Sequence, residues 1–355
     1  MVTEDAMRRT VAAQLRSGAR ALASGAAEDL LEEFPEIESR HGASAYSMWQ
    51  GFLSQRVAEL ATSVEFDEPS LFTHEMNWLY STLAAREIAP EDVWRSIICL
   101  SRTIEREFAE KMWAFVRPMV DHAARPENTP SEPGSLQMAQ HAEAGLAEAF
   151  YKAVLSGDAG AATGLVLDAF RDGTAPEALY GRVMLPVQAE IGDLWQRDEL
   201  GIADEHVATE LIRASMTAVW LEATGGKASG PPVVVGSVTG DQHDTGVRAA
   251  SYLMDIGGLR GICLGCDVPA EEFAVAAARF EAVAAVVSAS MSVHLPHVRQ
   301  TVGTIKRELP GMRVVVGGPA FHVGDEVSSR LAEKMGADAY ARTPADAAAL
   351  IASSR

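Results

Sequence analysis

Residues 233–246 read VVVGSVTGDQHDTG, a stretch that changes character halfway along. Residues 233–238 contain four valines, which is typical of a short strand buried on both faces of a sheet. The residues that follow are polar and include two glycines, as in a loop. Similar apolar runs, separated by amphipathic helical segments, recur at 261–265, 282–288, 314–318 and near 337–340. This alternation predicts a doubly wound parallel sheet with a Rossmann-like fold over 231–355.

Ligands in such sheets bind in the loops at the carboxyl ends of the strands. The first loop carries Asp241 and His243, and an aspartate two residues before a histidine can orient the imidazole as a metal ligand. A lone pair of this kind is more often a surface hydrogen bond, but serines and glycines follow two further strands here. His294 and His297, beyond the second loop, are interpreted as a solvent-facing pair on a helix. The candidate ligand-binding residues of the three loops are Ser237, Asp241, Gln242, His243, Asp244, Thr245, Gly246, Ser288, Ser290, Gly317 and Gly318.

With this spacing, residues 231–355 resemble the cobalamin-binding domain of methionine synthase, the mutases and their relatives. The signature of that family is Asp-x-His-x-x-Gly, then Ser-x-Leu, then Gly-Gly. The resemblance implies that His243 is the lower axial ligand of cobalt, that Asp241 holds His243, and that Gly246 leaves space for the nucleotide tail. Ser290 departs from the signature, because the family usually has leucine there. The residues implied to border the tail are Ser288, Ser290, Gly317 and Gly318.

Two segments rich in proline and glycine divide the chain, at 124–135 and 224–232. Before the first segment, apolar residues recur three and four positions apart, which predicts an all-α N-terminal domain over 1–125. Between the two segments, helical stretches predict a four-helix bundle over 136–224 that caps the corrin. The chain is therefore expected to be multidomain, with α and α/β parts. The helical stretches of the bundle are 136–156, 159–172, 176–198 and 203–223.

Within the predicted bundle, Trp195 is followed by residues 196–204 and then by Glu205 and His206. Taken alone, these side chains would only pack or cap helices. The spacing resembles the cobalamin photoreceptors of the MerR-type repressor class, in which a tryptophan and a Glu-His pair cover the upper face of the corrin and contact its adenosyl group. The resemblance implies adenosylcobalamin as the cofactor, with these three residues as its upper contacts. Gln196 departs from it, because those photoreceptors can carry there the histidine that caps cobalt after photolysis. His206 is the substitute candidate.

The N-terminal domain carries no motif as specific as the histidine loop, residues 239–246, which contains Asp241 and His243. An apolar stripe from Val93 to Phe115 predicts one helix that Pro90 begins. Cys99 within this stripe is interpreted as a packing residue, not as a covalent anchor. The overall layout resembles the photocobilins, which pair cobalamin with a bilin. That resemblance implies a candidate pocket for biliverdin in this domain, without a thioether bond.

The composition limits the partners and the compartment. With 30 Lys+Arg against 49 Asp+Glu the net charge is −19 at pH 7, which repels phosphate backbones. A helix-turn-helix with a basic recognition helix is not recognisable either, so we expect no direct nucleic-acid partner. Three cysteines are too few for a disulfide framework. Because neither a signal peptide nor a membrane-spanning stretch is recognisable, we expect a cytoplasmic protein that does not contact membranes.

These patterns lead to one hypothesis and two alternatives. The hypothesis is an adenosylcobalamin-dependent light sensor, a signalling photoreceptor more than an enzyme. Photolysis of the cobalt–carbon bond would rearrange the bundle and change assembly as a homo-oligomer or binding to a downstream signalling protein. The main alternative is a corrinoid methyl carrier of a methyltransferase system, which does not need the cover that Trp195 supplies. The other alternative is a cobalamin carrier that is indifferent to light.

Overall fold

The chain divides into two compact units, Met1–Ser131 and Glu132–Arg355. They are seen in a computed structural model that describes residues 3–86, 88–123 and 142–353. The predicted linker at 124–135 lies outside these ranges. Among the helices within them, none combines the length and the apolar character that a bilayer crossing requires.

The described part of the first unit contains six α-helices and no strand. α3 packs along α1 and α4, and one apolar core includes residues from all six helices. Trp49 and Cys99 are buried in this core, and burial there agrees with the packing role expected for Cys99. The all-α prediction for this unit is confirmed. The helices are α1 (Glu4–Glu33), α2 (Pro35–His41), α3 (Ala45–Phe66), α4 (Pro69–Ala85), α5 (Pro90–Glu107) and α6 (Glu110–His122).

The stripe from Val93 to Phe115 belongs to two helices, so the prediction of one continuous helix is wrong. Pro90 does begin α5, where its missing N–H costs nothing. The backbone of Phe108 is extended, with φ −102° and ψ 143°, and α6 begins at Glu110. Phe108 packs against the core between the two helices. Because both helices bury residues in one core, the apolar spacing continues across the break and hides it.

The second unit begins, in its described part, with the helices of the predicted bundle. The predicted helix over 176–198 ends at Gln196 and contains a π-helical turn. On this turn, the hydroxyl of Tyr180 donates to the backbone oxygen of Met216, 2.7 Å away on the last helix. Gly225, with φ 62°, ends that helix in a left-handed conformation. The helices are α7 (Ala144–Leu155), α8 (Ala159–Arg171), α9 (Pro176–Ala178), the π-helical turn (Leu179–Met184), α10 (Leu185–Gln196) and α11 (Ile202–Thr224).

The rest of the second unit is a five-stranded sheet in which every paired neighbour is parallel, in the order β2-β1-β3-β4-β5. β2 lies on one side of β1, and β3 lies on the other side, so the strand order reverses between β1 and β3. The doubly wound prediction is confirmed. Ala249 and Leu253 of α12 share the core of the bundle, which joins bundle and sheet. The elements are β1 (Pro232–Val238), α12 (Thr245–Ile256), β2 (Arg260–Val268), α13 (Ala270–Arg279), β3 (Ala284–Ser288), α14 (Leu295–Glu308), β4 (Arg313–Gly317), α15 (Asp325–Met335), β5 (Ala339–Ala341) and α16 (Pro344–Ala352).

Candidate functional site

The loops after β1, β3 and β4 meet at the carboxyl edge of the sheet, where the strand order reverses. The backbone N–H of Ser290 donates to Asp241 Oδ2 at 2.6 Å, which joins the first loop to the second. The backbone N–H of Ala289 donates to the oxygen of Gly317 at 3.1 Å, which joins the second loop to the third. The structure therefore brings together the three loops that the sequence singles out. This is the edge at which sheets of this order bind ligands.

Asp241 holds the imidazole of His243 in one orientation. His243 Nδ1 lies 2.7 Å from Asp241 Oδ1, which also accepts the backbone N–H of His243 at 3.1 Å. Asp241 is fully buried, whereas the side chain of His243 is 64% exposed. Because Nδ1 is engaged, Nε2 is the ring nitrogen left for a metal. The structure thus presents one accessible imidazole nitrogen, backed by a buried carboxylate.

The ionisation of this pair is set by its hydrogen bonds. Burial would raise the pKa of Asp241, but the hydrogen bonds from His243 and from the backbone of Ser290 outweigh it and hold the pKa below its usual value. The hydrogen bond to Asp241 raises the pKa of His243 against the opposing effect of burial. The negative charge of Glu205, on the bundle, contributes to the same rise. A residue of the bundle therefore acts electrostatically on the histidine loop.

Two residues pin the histidine loop from neighbouring elements. The hydroxyl of Ser237, which is buried at the end of β1, donates to the backbone oxygen of His243 at 2.7 Å. Asp267, at the end of β2, accepts the N–H of Gly240 at 2.7 Å and donates its own N–H to the oxygen of Asp241 at 2.9 Å. Asp267 adopts φ 54°, a left-handed conformation that is strained for most residues but tolerated by aspartate. Sequence reasoning did not single out Asp267, and its local spacing carries no signal of this role.

The other predicted residues of the first loop differ in accessibility. Gln242 and Gly246 are exposed, and a Cβ placed on Gly246 would meet no atom within 4 Å. Asp244 and Thr245 are buried, Asp244 between the guanidinium groups of Arg213 and Arg248. Gly246 thus borders open space, as its expected role beside the nucleotide tail requires. Asp244 instead makes contacts within the protein.

The two predicted glycines of the third loop lie close to other backbone segments. A Cβ on Gly317 would lie 2.6 Å from the oxygen of Ala341, and one on Gly318 would lie 2.4 Å from the oxygen of Ala289. Gly318 also has φ 99°, which favours glycine. Both glycines therefore serve the packing of the protein itself. Ser288 and Ser290 are half-buried beside them, and contact of these four residues with a nucleotide tail stays a prediction.

His294 lies in the site, so its interpretation as solvent-facing is wrong. A 3-10 turn, Ser292–His294, precedes α14 and turns this side chain toward the histidine loop. The side chain is 14% exposed, and Nδ1 lies 3.9 Å from Asp241 Oδ2. Within the described residues, this buried nitrogen has no hydrogen-bond partner. Burial lowers the pKa of His294. His297, one turn further on, is half-buried as well.

The bundle presents the other predicted residues at the ends of α10 and α11. Trp195 is 39% exposed, so part of its indole ring is accessible to a ligand. Glu205 Oε1 accepts the hydroxyl of Thr209 at 2.7 Å, and His206 Nε2 lies 3.6 Å from Glu205 Oε2. The side chain of His206 is largely exposed. An aromatic face, a carboxylate and an imidazole are therefore accessible on either side of the 197–201 turn.

The residues of the site fit a corrinoid better than a bare metal ion. Across residues 3–86, 88–123 and 142–353, no group of three or more His, Cys, Asp or Glu side chains is placed to hold an ion. A bare ion would need three or four such ligands. A metal already held by a macrocycle needs only one more, and His243 Nε2 can supply it. His243 would hold the cobalt of such a group, with Asp241 fixing the ring.

Comparisons with known proteins agree with this fit. Residues 146–219 and 231–351 each match a family described as B12 binding domain. The HTH-type transcriptional repressor CarH of Myxococcus xanthus is 29% identical over 170 residues, which cover 47% of this chain and 56% of the repressor. The match therefore spans little more than half of that relative. Dimethylamine corrinoid protein 1 of Methanosarcina acetivorans is 31% identical over 165 residues, covering 45% of this chain and 74% of the relative.

Two further comparisons extend the picture. Dimethylamine corrinoid protein 3 of Methanosarcina mazei is 31% identical over 165 residues, covering 44% of this chain and 93% of the relative. The solved structure of Methanosarcina barkeri monomethylamine corrinoid protein aligns with 60% of this chain and 100% of its own, with 20% identity and a TM-score of 0.49. The two family matches cover the bundle and the sheet of the second unit. The chain belongs to the family of cobalamin-binding corrinoid proteins.

Proposed function

We propose that the chain is an adenosylcobalamin-dependent light sensor, whose bundle moves relative to the corrin and changes self-assembly or partner binding. The observation that carries the proposal is the exposed Trp195 near the end of α10, with Glu205 and His206 across the 197–201 turn at the start of α11. The exposed part of the Trp195 indole offers a surface on which an apolar ligand group can pack. The match to the repressor CarH supports the same reading.

Each residue has a defined part in this function. Adenosylcobalamin, when bound, would supply a cobalt–carbon bond that visible light breaks. His243 would hold the cobalt from below, in the orientation that Asp241 imposes. Trp195 would cover the upper face, and Glu205 and His206 would make polar contacts to the adenosyl group. After illumination these three side chains would lose those contacts, so the position of the bundle would change.

The cover can be tested by its selectivity for the upper group. Trp195→Ala is expected to reduce the preference for adenosylcobalamin over methylcobalamin by about tenfold, which corresponds to about 1.4 kcal/mol. Dissociation constants for both forms, measured in the dark, give this ratio. Leu221→Ala is the matched control, because Leu221 is an exposed apolar residue near the other end of α11. An unchanged ratio in Trp195→Ala would argue against the cover.

A corrinoid methyl carrier of a methyltransferase system is the second candidate. Its support is the match to dimethylamine corrinoid proteins, which extends over 74% and 93% of those relatives. His243 and Asp241 would serve a methyl carrier in the same way, and a separate methyltransferase would be the partner. This function predicts no preference for the adenosyl form and no change of that preference in Trp195→Ala. The selectivity experiment therefore separates the two functions.

The first unit has a feature that favours a second chromophore, a bilin such as biliverdin. His41 Nε2, Trp49 Nε1 and the hydroxyl of Tyr80 are buried, and each lacks a hydrogen-bond partner within the described residues. Folded proteins pair nearly all such atoms. The rings of His41 and Trp49 lie 6.4 Å apart, and α4, which carries Tyr80, packs on α3, which carries Trp49. A linear tetrapyrrole has the N–H and carbonyl groups to pair them.

Biliverdin binding tests this part of the proposal. Biliverdin added to the full chain is expected to leave a red-absorbing band after desalting. Trp49→Phe should weaken this band, because it removes the indole N–H that would pair with the bilin and otherwise keeps an aromatic ring at this position. Trp94→Phe, a change of the same kind at a half-buried position of the same unit, serves as the control. If wild type retains no band, the second chromophore is excluded.

A further inference from the structure

Asp244, the residue after His243, is a buried carboxylate held by two arginines from different elements. Its Oδ2 accepts a hydrogen bond of 2.8 Å from Nε of Arg248, which lies on α12. Its Oδ1 accepts Nη2 of Arg213, which lies on α11 of the bundle. The side chain of Asp244 is almost fully buried, so the two guanidinium groups replace water as the partners of its oxygens. One of the two ion pairs therefore links the bundle directly to the histidine loop.

The three nitrogens of the Arg213 guanidinium group differ in their partners. Nη2 donates to Asp244. Nη1 donates to Glu210 Oε1 at 2.7 Å, on the exposed side of α11. Nε is buried and has no hydrogen-bond partner within the described residues. Glu205 precedes Arg213 on the same helix by about two turns, or about 12 Å at 1.5 Å per residue. Helix α11, which carries Glu205 and His206, therefore also contacts the histidine loop through Arg213.

Further contacts, two of them hydrogen bonds, join α11 to α12 beyond this ion pair. Thr217 and Tyr252 hydroxyls lie 3.1 Å apart, and Trp220 Nε1 donates to Asp255 Oδ2 at 2.9 Å. These contacts lie further along α11, away from Glu205. They would hold the helices together in a variant without the ion pair. Of these contacts, the ion pair between Arg213 and Asp244 involves the residue that directly follows His243.

We propose that Arg213 is a positioning residue for the axial histidine, acting from the bundle through Asp244. The ion pair holds the loop in the position at which Asp241 and Ser237 orient His243. In return, the metal-bound state of His243 favours one position of the first turns of α11. The proposal rests on the corrinoid site described above and does not require that the protein respond to light.

The test uses the full chain with methylcobalamin in the dark. We expect Arg213→Met to weaken binding by about tenfold and to lower the fraction of bound cobalamin with histidine ligated, read from the absorption spectrum at saturation. Arg213→Lys should restore part of both, because it keeps the charge. Arg171→Met is the matched control, because it removes an exposed ion pair with Glu222 in the same bundle. A spectrum of Arg213→Met identical to that of wild type would overturn the proposal.

A double-mutant cycle shows whether Arg213 acts through Asp244. In an Asp244→Asn background, Arg213→Met should cause little further loss of affinity or of histidine ligation. A further loss as large as in wild type would mean that Arg213 acts by another route, and would also overturn the proposal. If the wild-type chain binds no cobalamin, the corrinoid site itself fails. If it binds and Arg213→Met behaves as Arg171→Met does, only the role of Arg213 fails.

Discussion

Asp241 is the residue on which most contacts of the site converge. It is fully buried, and its two oxygens accept the ring and backbone of His243 and the backbone of Ser290. A neutral amide in its place could still accept hydrogen bonds but would not stabilise a polarised imidazole. A charge hidden from solvent thus orients one accessible imidazole and makes its free nitrogen more basic, as a metal ligand requires.

We expect Asp241→Asn to weaken cobalamin binding about ten- to hundredfold, the range seen when the partner of a metal-ligating histidine is changed. A dark titration followed by absorption measures the dissociation constant. Asp168→Asn, at an exposed position of α8, is the control. Affinity within twofold of wild type for Asp241→Asn would contradict the role given to this carboxylate.

Three variants of Asp267 separate its backbone strain from its hydrogen bond. Asp267→Asn keeps an acceptor for Gly240 and tolerates φ 54°, so it should be near neutral. Asp267→Ala loses the acceptor for Gly240 and is strained at this φ, so it should destabilise the second unit by about 1–3 kcal/mol. Asp267→Gly relieves only the strain and should fall between them. Urea unfolding of the full chain ranks the three, and equal stability of all three would refute the strained contact.

The sequence identified His243 and Asp241 because their relation is local, two positions apart on one loop. It did not identify Asp267, His294 or Arg213 as parts of the site. Asp267 contacts Gly240 across 27 positions, and Arg213 contacts Asp244 across 31. Such contacts depend on how strands and helices come together, which local spacing does not encode. His294 was misread because a short turn before α14, not the helix, directs its side chain.

At the scale of secondary-structure elements, apolar periodicity located the helices but not their interruptions. The break between α5 and α6 keeps both helices on one core, so the pattern is continuous across it. The π-helical turn Leu179–Met184 likewise keeps its apolar residues inside. Strand positions were predicted more closely, because four of the five strands, all except β2, are short runs rich in valine or alanine. The spacing of apolar residues indicates which face of a helix is buried. It does not indicate where a helix breaks or changes from α to π winding.

Helix α3 carries a buried carboxyl group, that of Glu59, which should make the first unit sensitive to pH. Burial raises the pKa of Glu59 to about 7 from its ordinary 4.5, although Arg56 beside it acts in the opposite direction. Between these values the folded chain keeps a proton that the unfolded chain has released. Stability of the unit should therefore fall as the pH rises through this window, by about 3 kcal/mol at most.

Urea unfolding followed by tryptophan fluorescence measures this slope, since four of the six tryptophans lie before residue 124. Glu59→Gln, which cannot ionise, should flatten the dependence between pH 4.5 and pH 7. Glu107→Gln, at an exposed position on α5, is the control. The same slope in wild type and Glu59→Gln would show that another group is responsible.

At the scale of the whole molecule, the two compact units should respond differently to cobalamin. Bundle and sheet share a core through α12, so ligand bound at the histidine loop should stabilise both parts of the second unit. At a free concentration one hundred times the dissociation constant, the gain is about 2.7 kcal/mol. Hydrogen exchange in the full chain should show this protection across 142–353 and much less across 3–123. Loss of the protection in His243→Ala would confirm its origin, and equal protection of both units would contradict it.

Whether the protein senses light is best decided on the full chain loaded with adenosylcobalamin in the dark. Absorption and light scattering after size-exclusion chromatography are recorded before and after green light, beside free cofactor and a methylcobalamin-loaded sample. For a light sensor we expect a lasting spectral change that differs from that of free cofactor, accompanied by a change in mass or hydrodynamic radius. A spectrum that changes only as free cofactor does, with no change in size, would contradict a light sensor and favour the methyl carrier.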